Sequence, residues 1–187
     1  PRSAMCAEKQ ALRKKLLALR AAEPVEIRER RARAIAQTLF TLPQYQSAHT
    51  VFCYCSTAEE ISTEAILLDA LAQGKRVCVP RCAARGIMTA REISTLAQLQ
   101  PGKFGIREPA SSSPVVLPSE IDLCIVPCLC ADPDGYRLGY GGGYYDRFLA
   151  QSTAYRIALC AADRLLQAPL PREATDIPCD YILTERR

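Results

Sequence analysis

The sequence predicts an α/β fold: one domain built on a mostly parallel central sheet with helices on both faces. Three observations predict it. Short runs rich in Val, Ile and Leu alternate with stretches of helical spacing, the order that parallel strands joined by helices require. The run from Ile121 to Cys130 is almost continuously apolar, as in a central strand covered on both faces. A chain of 187 residues, 49% hydrophobic, suits a single sizeable core, and no linker, internal repeat or low-complexity segment divides it. The domain is therefore drawn over residues 1–187, with 1–4 set apart as non-native or disordered residues ahead of a native Met5.

Each element follows from local pattern. Leu12, Leu16 and Leu19 recur at helical spacing and predict an amphipathic helix over residues 7–21. Pro24 stands where a second helix begins, continuing through Ile27, Ala34, Ile35 and Leu39. Thr50 to Cys55 reads as a short strand, and Ser62 or Thr63 caps a helix from Glu64 to Leu71 that Gly74 ends. Arg76 to Pro80 is the next strand, and Met88 to Ile93 a shorter one at an edge. The proline-bearing segment from Gln100 to Ser119 reads as a long ordered loop, a length usually kept for function. After the central strand come a helix over Tyr144 to Ala150, a strand over Arg156 to Ala161 and a last one over Tyr181 to Thr184.

Composition narrows the function classes. No apolar run approaches the about 20 residues of a membrane span, and the N-terminal residues lack the apolar core of a secretory signal. A cytoplasmic, membrane-free, monomeric protein is expected. Net charge is +4, with Arg2, Lys9, Arg13, Lys14, Lys15 and Arg20 facing only Glu8 before position 23. That basic end suits an anionic ligand. No nucleic-acid motif accompanies it, so no nucleic-acid partner is expected. The ten cysteines include no Cys-x-x-Cys pair, and His49 is the sole histidine, so thiol metal sites are disfavoured. Cys53, Cys55, Cys78, Cys124, Cys128 and Cys160 lie in apolar runs, where a free thiol acts as a small core residue.

The densest chemistry lies in Arg137-Leu138-Gly139-Tyr140-Gly141-Gly142-Gly143-Tyr144-Tyr145-Asp146. Glycines between a strand and a helix expose main-chain N–H groups, and with the helix start they favour an anion such as phosphate. Arg137 adds a planar fork of donors for such an anion. The Lys-Ser/Thr ending of a Walker A loop is missing. Asp146 is either a helix-start residue or a Mg²⁺ ligand beside the phosphate. Asp176 is a second candidate metal ligand, in a turn where Asp is ordinary. Lys9 and Arg13 stand four apart on one side of the first helix, as solvated charge or as phosphate ligands. Tyr144, Tyr145 and Phe104 offer aromatic faces, and Glu60 follows a strand end where ligands of α/β sheets bind.

These residues are also where a family resemblance lies. The decamer resembles the signature of the 5-formyltetrahydrofolate cyclo-ligases. Lys9-Gln10-Ala11-Leu12-Arg13 resembles the family's N-terminal Lys-x-x-x-Arg, and Glu59-Glu60-Ile61-Ser62-Thr63 its acidic segment after the first strand. Gly105-Ile106-Arg107-Glu108-Pro109 resembles a Gly-Ile-x-Glu-Pro turn, and Asp176-Ile177-Pro178-Cys179-Asp180 with Thr184-Glu185 the C-terminal end. The resemblance implies ATP and 5-formyltetrahydrofolate, polyglutamated or not, as substrates and Mg²⁺ as cofactor. It assigns Lys9, Arg13 and Arg137 to catalysis and, with Gly139, Gly141, Gly142, Gly143, Tyr144 and Tyr145, to ATP. It points to Glu60 for the folate, with the backbone near Cys55 as pocket wall, and to Asp146 for the metal. Phe104, Tyr140 and Tyr145 are further candidates for the folate, and Asp176 for the metal, directly or through water. Gly142 stands where many family members carry Lys, which leaves less positive charge at the transferred phosphoryl. The alternatives are a phosphosugar isomerase or CoA-type enzyme on a related fold, and a nucleotide- or RNA-binding module on the basic helix.

Overall fold

Successive residues of the central strands point into two different apolar layers, and this alternation organises the molecule. The computed structural model describes residues 2–186, with side chains from Ala4 onward. Helices α1 (Arg2–Ala21), α2 (Val25–Thr41) and α3 (Pro43–Ser47) precede strand β1 (Thr50–Cys53) and helix α4 (Glu64–Ala72). Next come strands β2 (Arg76–Ala84), β3 (Ile87–Ile93), β4 (Leu99–Pro101), β5 (Arg107–Pro109) and β6 (Val115–Val116). Strands β7 (Leu123–Pro127), β8 (Cys130–Ala131) and β9 (Arg137–Leu138) lead to helix α5 (Tyr144–Leu149). Strands β10 (Tyr155–Leu159) and β11 (Tyr181–Leu183) close the chain.

Seven strands form the main sheet in the order β11-β10-β7-β1-β2-β3-β6. The pairs from β11 to β2 are parallel, while β2–β3 and β3–β6 are antiparallel. On one face Val51, Val77, Leu123, Ile125, Ile157 and Leu159 pack with Ile35 and Leu39 of α2 and Ile66 and Leu67 of α4. On the other, Phe52, Cys78, Cys124, Val126 and Ala158 pack with Phe148 and Leu149 of α5. The predicted mostly parallel sheet with helices on both faces is thus the observed one. Cys53 and Cys55 belong to the first layer and Cys78 and Cys124 to the second, as the apolar setting of these thiols predicts. All ten cysteines are free thiols. Among the described residues no helix is long and apolar enough to cross a membrane.

Several boundaries differ from expectation. The first helix begins at Arg2, taking in residues set apart as disordered, while Pro1 lies outside the described residues. The first strand stops at Cys53 rather than Cys55, although the Tyr54 N–H still reaches the Ile125 carbonyl at 3.2 Å. The second strand runs on to Ala84 and turns at Gly86 (φ +76°) into β3, so the two form a hairpin. β3 is not the edge, because β6 pairs with it on its outer side. The expected loop Gln100–Ser119 holds β5 and β6 and the end of β4, because β4 and β5 pair with each other across the intervening turn. The central strand ends at Pro127 instead of Cys130, and Cys130–Ala131 pairs with Arg137–Leu138 in a hairpin of its own. Thr63 occupies the position before α4, but its hydroxyl donates to the Tyr54 carbonyl at 2.7 Å instead of capping the helix.

The turn between β8 and β9 is organised by Asp132, whose side chain is fully buried. Its Oδ1 accepts the N–H groups of Asp134 and Tyr136 at 3.0 Å each, and its Oδ2 accepts Leu170 N–H and Arg172 Nη2 at 2.9 Å each. A buried carboxylate with four donors is fully compensated. Gly135 closes the same turn at φ +87°, with its carbonyl accepting the Cys179 N–H at 2.8 Å. A Cβ there would lie 2.5 Å from the Cys179 carbonyl oxygen, a backbone atom that cannot step aside alone. Gly135→Ala is therefore expected to lower stability by about 2–4 kcal/mol, adding left-handed strain to the clash. Urea unfolding checks this, and a loss below about 1 kcal/mol would contradict it.

Candidate functional site

Ligands of open α/β sheets bind beyond the carboxyl ends of the strands, and here that edge is covered by α1. Leu16, with Leu12 beside it, packs on Leu129, Cys130, Leu138 and Leu170, around the β8–β9 hairpin. Lys9, Arg13 and Arg20 share that inward face, while Lys14 and Lys15 are exposed. The helix thereby lays Arg13 and Arg20 against the glycine loop that follows β9, and Lys9 against Asp176.

The loop is shaped by its glycines and held by arginines. Gly141 has φ +99°, and Gly143, at φ +72°, precedes α5 in a conformation that favours glycine. Arg13 Nε donates to the Gly139 carbonyl at 2.7 Å, and a Cβ on Gly141 would come within 3.3 Å of that guanidinium. A Cβ on Gly142 would lie 2.6 Å from the Tyr144 ring, so the glycine there is matched to the aromatic. Arg147 Nη1 holds the carbonyls of Gly86 at 3.0 Å and Gly142 at 3.3 Å. With these carbonyls tied, and among the described residues, the N–H groups from Gly139 to Tyr144 donate to no protein acceptor. They are free main-chain donors of the kind that takes an anion.

Arg137 lies beneath this loop with a side chain only 5% exposed. Its Nη1 reaches the Pro127 carbonyl at 3.4 Å, its Nη2 stands 4.0 Å from Asp146 Oδ1, and its buried Nε has no partner among the described residues. The guanidinium also rests 5.1 Å from the centre of the Tyr145 ring. Such loose bonding of a buried cation leaves donors available to a ligand. Asp146 Oδ1 accepts the Ile177 N–H at 3.1 Å, which brings the Asp176 segment alongside. Asp176 Oδ2 takes Lys9 Nζ at 3.0 Å and the Glu173 N–H at 2.9 Å. Lys9, Arg137, Asp146 and Asp176, dispersed over the sequence, meet at one end of the loop.

At the other end stands Glu60, 6% exposed. Its Oε1 accepts the Thr57 N–H at 2.8 Å and its Oε2 the Tyr140 hydroxyl at 3.0 Å, while Tyr140 accepts from Arg20 Nη1 at 2.7 Å. Burial first, and then the Glu60 carboxylate, push the Tyr140 and Tyr145 hydroxyls above the usual phenol range. Tyr145 meets Phe52 edge-on, 6.3 Å between ring centres, which anchors its ring against the sheet. Cys55 lines the buried side, its thiol pushed up to about 12 by desolvation. Burial raises Cys53, Cys78, Cys124, Cys130 and Cys179 as well, so these thiols stay protonated near neutrality and are poor nucleophiles. Phe104 stands apart: it is 76% exposed, at φ +60°, on the turn between β4 and β5.

Sequence reasoning missed Arg20 and Arg28. Arg28 Nη1 donates to the Ala58 carbonyl at 2.9 Å and its Nη2 to the Arg20 carbonyl at 3.0 Å, stapling α1 to the loop that carries Glu60. The signal for Arg20 was present, since it stands seven residues beyond Arg13 on the same helical face. For Arg28 there was none, because its partners are backbone carbonyls.

The chain matches the model of the 5-formyltetrahydrofolate cyclo-ligase family over residues 5–185. A 5-formyltetrahydrofolate cyclo-ligase of Mycolicibacterium smegmatis is 36% identical over 192 residues, covering 96% of this chain and 94% of the relative. One of Escherichia coli K12 is 32% identical over 154 residues, covering 80% and 85%. The NMR structure of Aquifex aeolicus 5,10-methenyltetrahydrofolate synthetase superposes with a TM-score of 0.85 at 31% identity, covering 96% of this chain and 90% of that one.

Proposed function

This chain belongs to the 5-formyltetrahydrofolate cyclo-ligase family, and we propose that it uses ATP and Mg²⁺ to close 5-formyltetrahydrofolate into 5,10-methenyltetrahydrofolate, releasing ADP and phosphate. Membership in a ligase family favours this reading over the isomerase and CoA-enzyme alternatives. The observation that carries the reading is a convergence: Arg13 and Arg137 flank the free N–H donors of Gly139 to Tyr144, Lys9 lies on the adjoining Asp176, and Glu60 is tied to the same loop through Tyr140.

In this reading the formyl oxygen attacks the γ-phosphate, giving a phosphorylated iminium and ADP. Nitrogen 10 of the folate adds to the activated carbon, the C–O bond breaks, and phosphate leaves with the former formyl oxygen and the proton that nitrogen 10 gives up. Phosphorylation turns a poor oxygen leaving group into a good one, so no Ser or Cys nucleophile is needed. The protein aligns and neutralises, which is most of what phosphoryl transfer requires. Arg137 and the loop amides hold the phosphates, with Lys9 and Arg13 from α1. Glu60 accepts N–H groups of the pterin, while Tyr140 and Tyr145 flank it and Cys55 forms the wall. Phe104 closes over the folate only if its turn moves.

Asp146 and Asp176 are hard oxygen donors beside the phosphate loop, and among the described residues no cluster of three or more His, Cys, Asp or Glu side chains could hold an ion unaided. A carboxylate pair suits Mg²⁺, which keeps several waters and binds through one or two carboxylates plus substrate phosphates. When bound there, the ion neutralises charge developing between the phosphates. Asp146 would be its first ligand, since Asp176 is already paired with Lys9.

Mixing the protein with Mg-ATP and 5-formyltetrahydrofolate tests the proposal. Growth of the methenyl absorption band with equal ADP release, and neither without ATP, is the expected result. A folded protein giving no band at high concentration would overturn it.

A further inference from the structure

We infer that Arg20 is a positioning residue for the folate-facing carboxylate, fixing Glu60 as a hydrogen-bond acceptor through the Tyr140 hydroxyl. This rests on Glu60 meeting the pterin as proposed above. The bonds run in one direction only. A guanidinium donates and never accepts, so the 2.7 Å bond from Arg20 Nη1 occupies a lone pair of the Tyr140 oxygen. The single hydroxyl proton is then left for Glu60 Oε2, 3.0 Å away. With Thr57 N–H on Oε1 at 2.8 Å, both carboxylate oxygens are oriented by donors. Their remaining lone pairs can only accept, which matches the N–H edge of a pterin and rejects a group offering an acceptor.

Arg20 itself is an unusual buried cation. It is 8% exposed, its Nε is buried without a partner, and among the described residues it forms no direct ion pair with a carboxylate. A buried charge normally has an opposite charge in contact. Here the compensating carboxylate is Glu60, reached across the Tyr140 hydroxyl, with the Arg20 guanidinium 5.4 Å from the Tyr140 ring centre. Arg28 fixes the spacing by bonding Ala58 in the Glu60 loop and the carbonyls of Arg20 and Glu23. Helix α1 thus governs the folate side of the site as well as the phosphate side.

The test compares Arg20→Met, Arg20→Lys, Tyr140→Phe and the double variant Arg20→Met/Tyr140→Phe. Affinity for 5-formyltetrahydrofolate is measured by calorimetry without ATP, and KM for ATP by steady-state kinetics. Arg20→Met and Tyr140→Phe should each weaken folate binding about tenfold, the loss of one charge-assisted link. KM for ATP should stay within about twofold, and the double variant should be no worse than either single one, because both break one chain. Arg20→Lys, which can still donate to Tyr140, should recover most of the affinity. Parent-like folate affinity in Tyr140→Phe, or additive losses in the double variant, would overturn the inference. So would equal losses for ATP and folate with a lowered melting temperature, the mark of a merely structural arginine. If the unaltered protein neither binds nor converts 5-formyltetrahydrofolate, the functional reading itself falls, and the inference with it.

Discussion

Arg137→Ala should lower kcat for ATP-driven cyclisation by about 10³-fold, the lower range for removing a phosphate-facing arginine, while folate affinity changes by less than about threefold. The asymmetry follows from where the side chain sits. Among the described residues its guanidinium, under the glycine loop, has one long bond to the protein, a carboxylate 4.0 Å away and a buried Nε without a partner. Little of its hydrogen-bonding capacity is used within the protein, so most of it is free for a phosphoryl group. Gly142 leaves no second cation inside the loop to substitute for it. Arg137→Lys restores the charge without the fork and should recover only part of the rate. Loss of the stack on Tyr145 costs some packing, so a melting curve must accompany the kinetics. A kcat within tenfold of the parent would remove Arg137 from the catalytic set.

Glu60→Gln should raise KM for 5-formyltetrahydrofolate by about 100-fold, the effect of losing a charged hydrogen bond of about 2.7 kcal/mol, with nucleotide binding intact. The amide is nearly the same shape, so the change isolates charge and donor count. Thr57 N–H and the Tyr140 hydroxyl both need an acceptor, and a glutamine has one oxygen for the two of them. One donor is orphaned, or the amide NH₂ is turned toward the substrate edge that also donates. Stability should fall slightly for the same reason, by about 1 kcal/mol. Steady-state kinetics with each substrate varied in turn separates the effects. An unchanged folate KM would mean that Glu60 is structural and that the pterin lies elsewhere.

Much of the architecture could be read before any coordinates. The strand residues Val51, Val77, Ile125 and Ile157 and their helical partners Ile35 and Leu39 are apolar at the spacing their elements require. The extent of β2 was less legible: its last residues, from Arg81, are only half-buried or exposed, and they are held by pairing with β3. β4, β5 and β6 were illegible for a related reason, because two- and three-residue strands carry no period. The break after Pro127 was hidden because Cys128 to Ala131 remain as apolar as the strand before them.

The candidate site divides in the same way. The glycine loop, Arg137 and Asp146 are contiguous, so one decamer displays an anion cradle with its flanking charges. Lys9 and Arg13 are visible as a helical pair. Their meeting with that loop was visible only through resemblance, since 126 positions separate Arg13 from the Gly139 carbonyl it holds. Lys9 and Asp176 are 167 positions apart.

By itself, then, the sequence determined the strand and helix order, the two-sided core, the phosphate-type loop and the family to which they belong. Those are properties of short windows, where periodicity and glycine placement decide burial and backbone shape. The tertiary structure alone decided that Arg20, Tyr140 and Glu60 form one hydrogen-bonded line, that Phe104 stands in solvent, and that Asp176 is engaged by Lys9. A polar side chain's partner depends on how the strands are ordered in the sheet and on which helix crosses their ends. No local pattern specifies that crossing, because it is set by the packing of Leu12 and Leu16 against a hairpin more than 110 residues away.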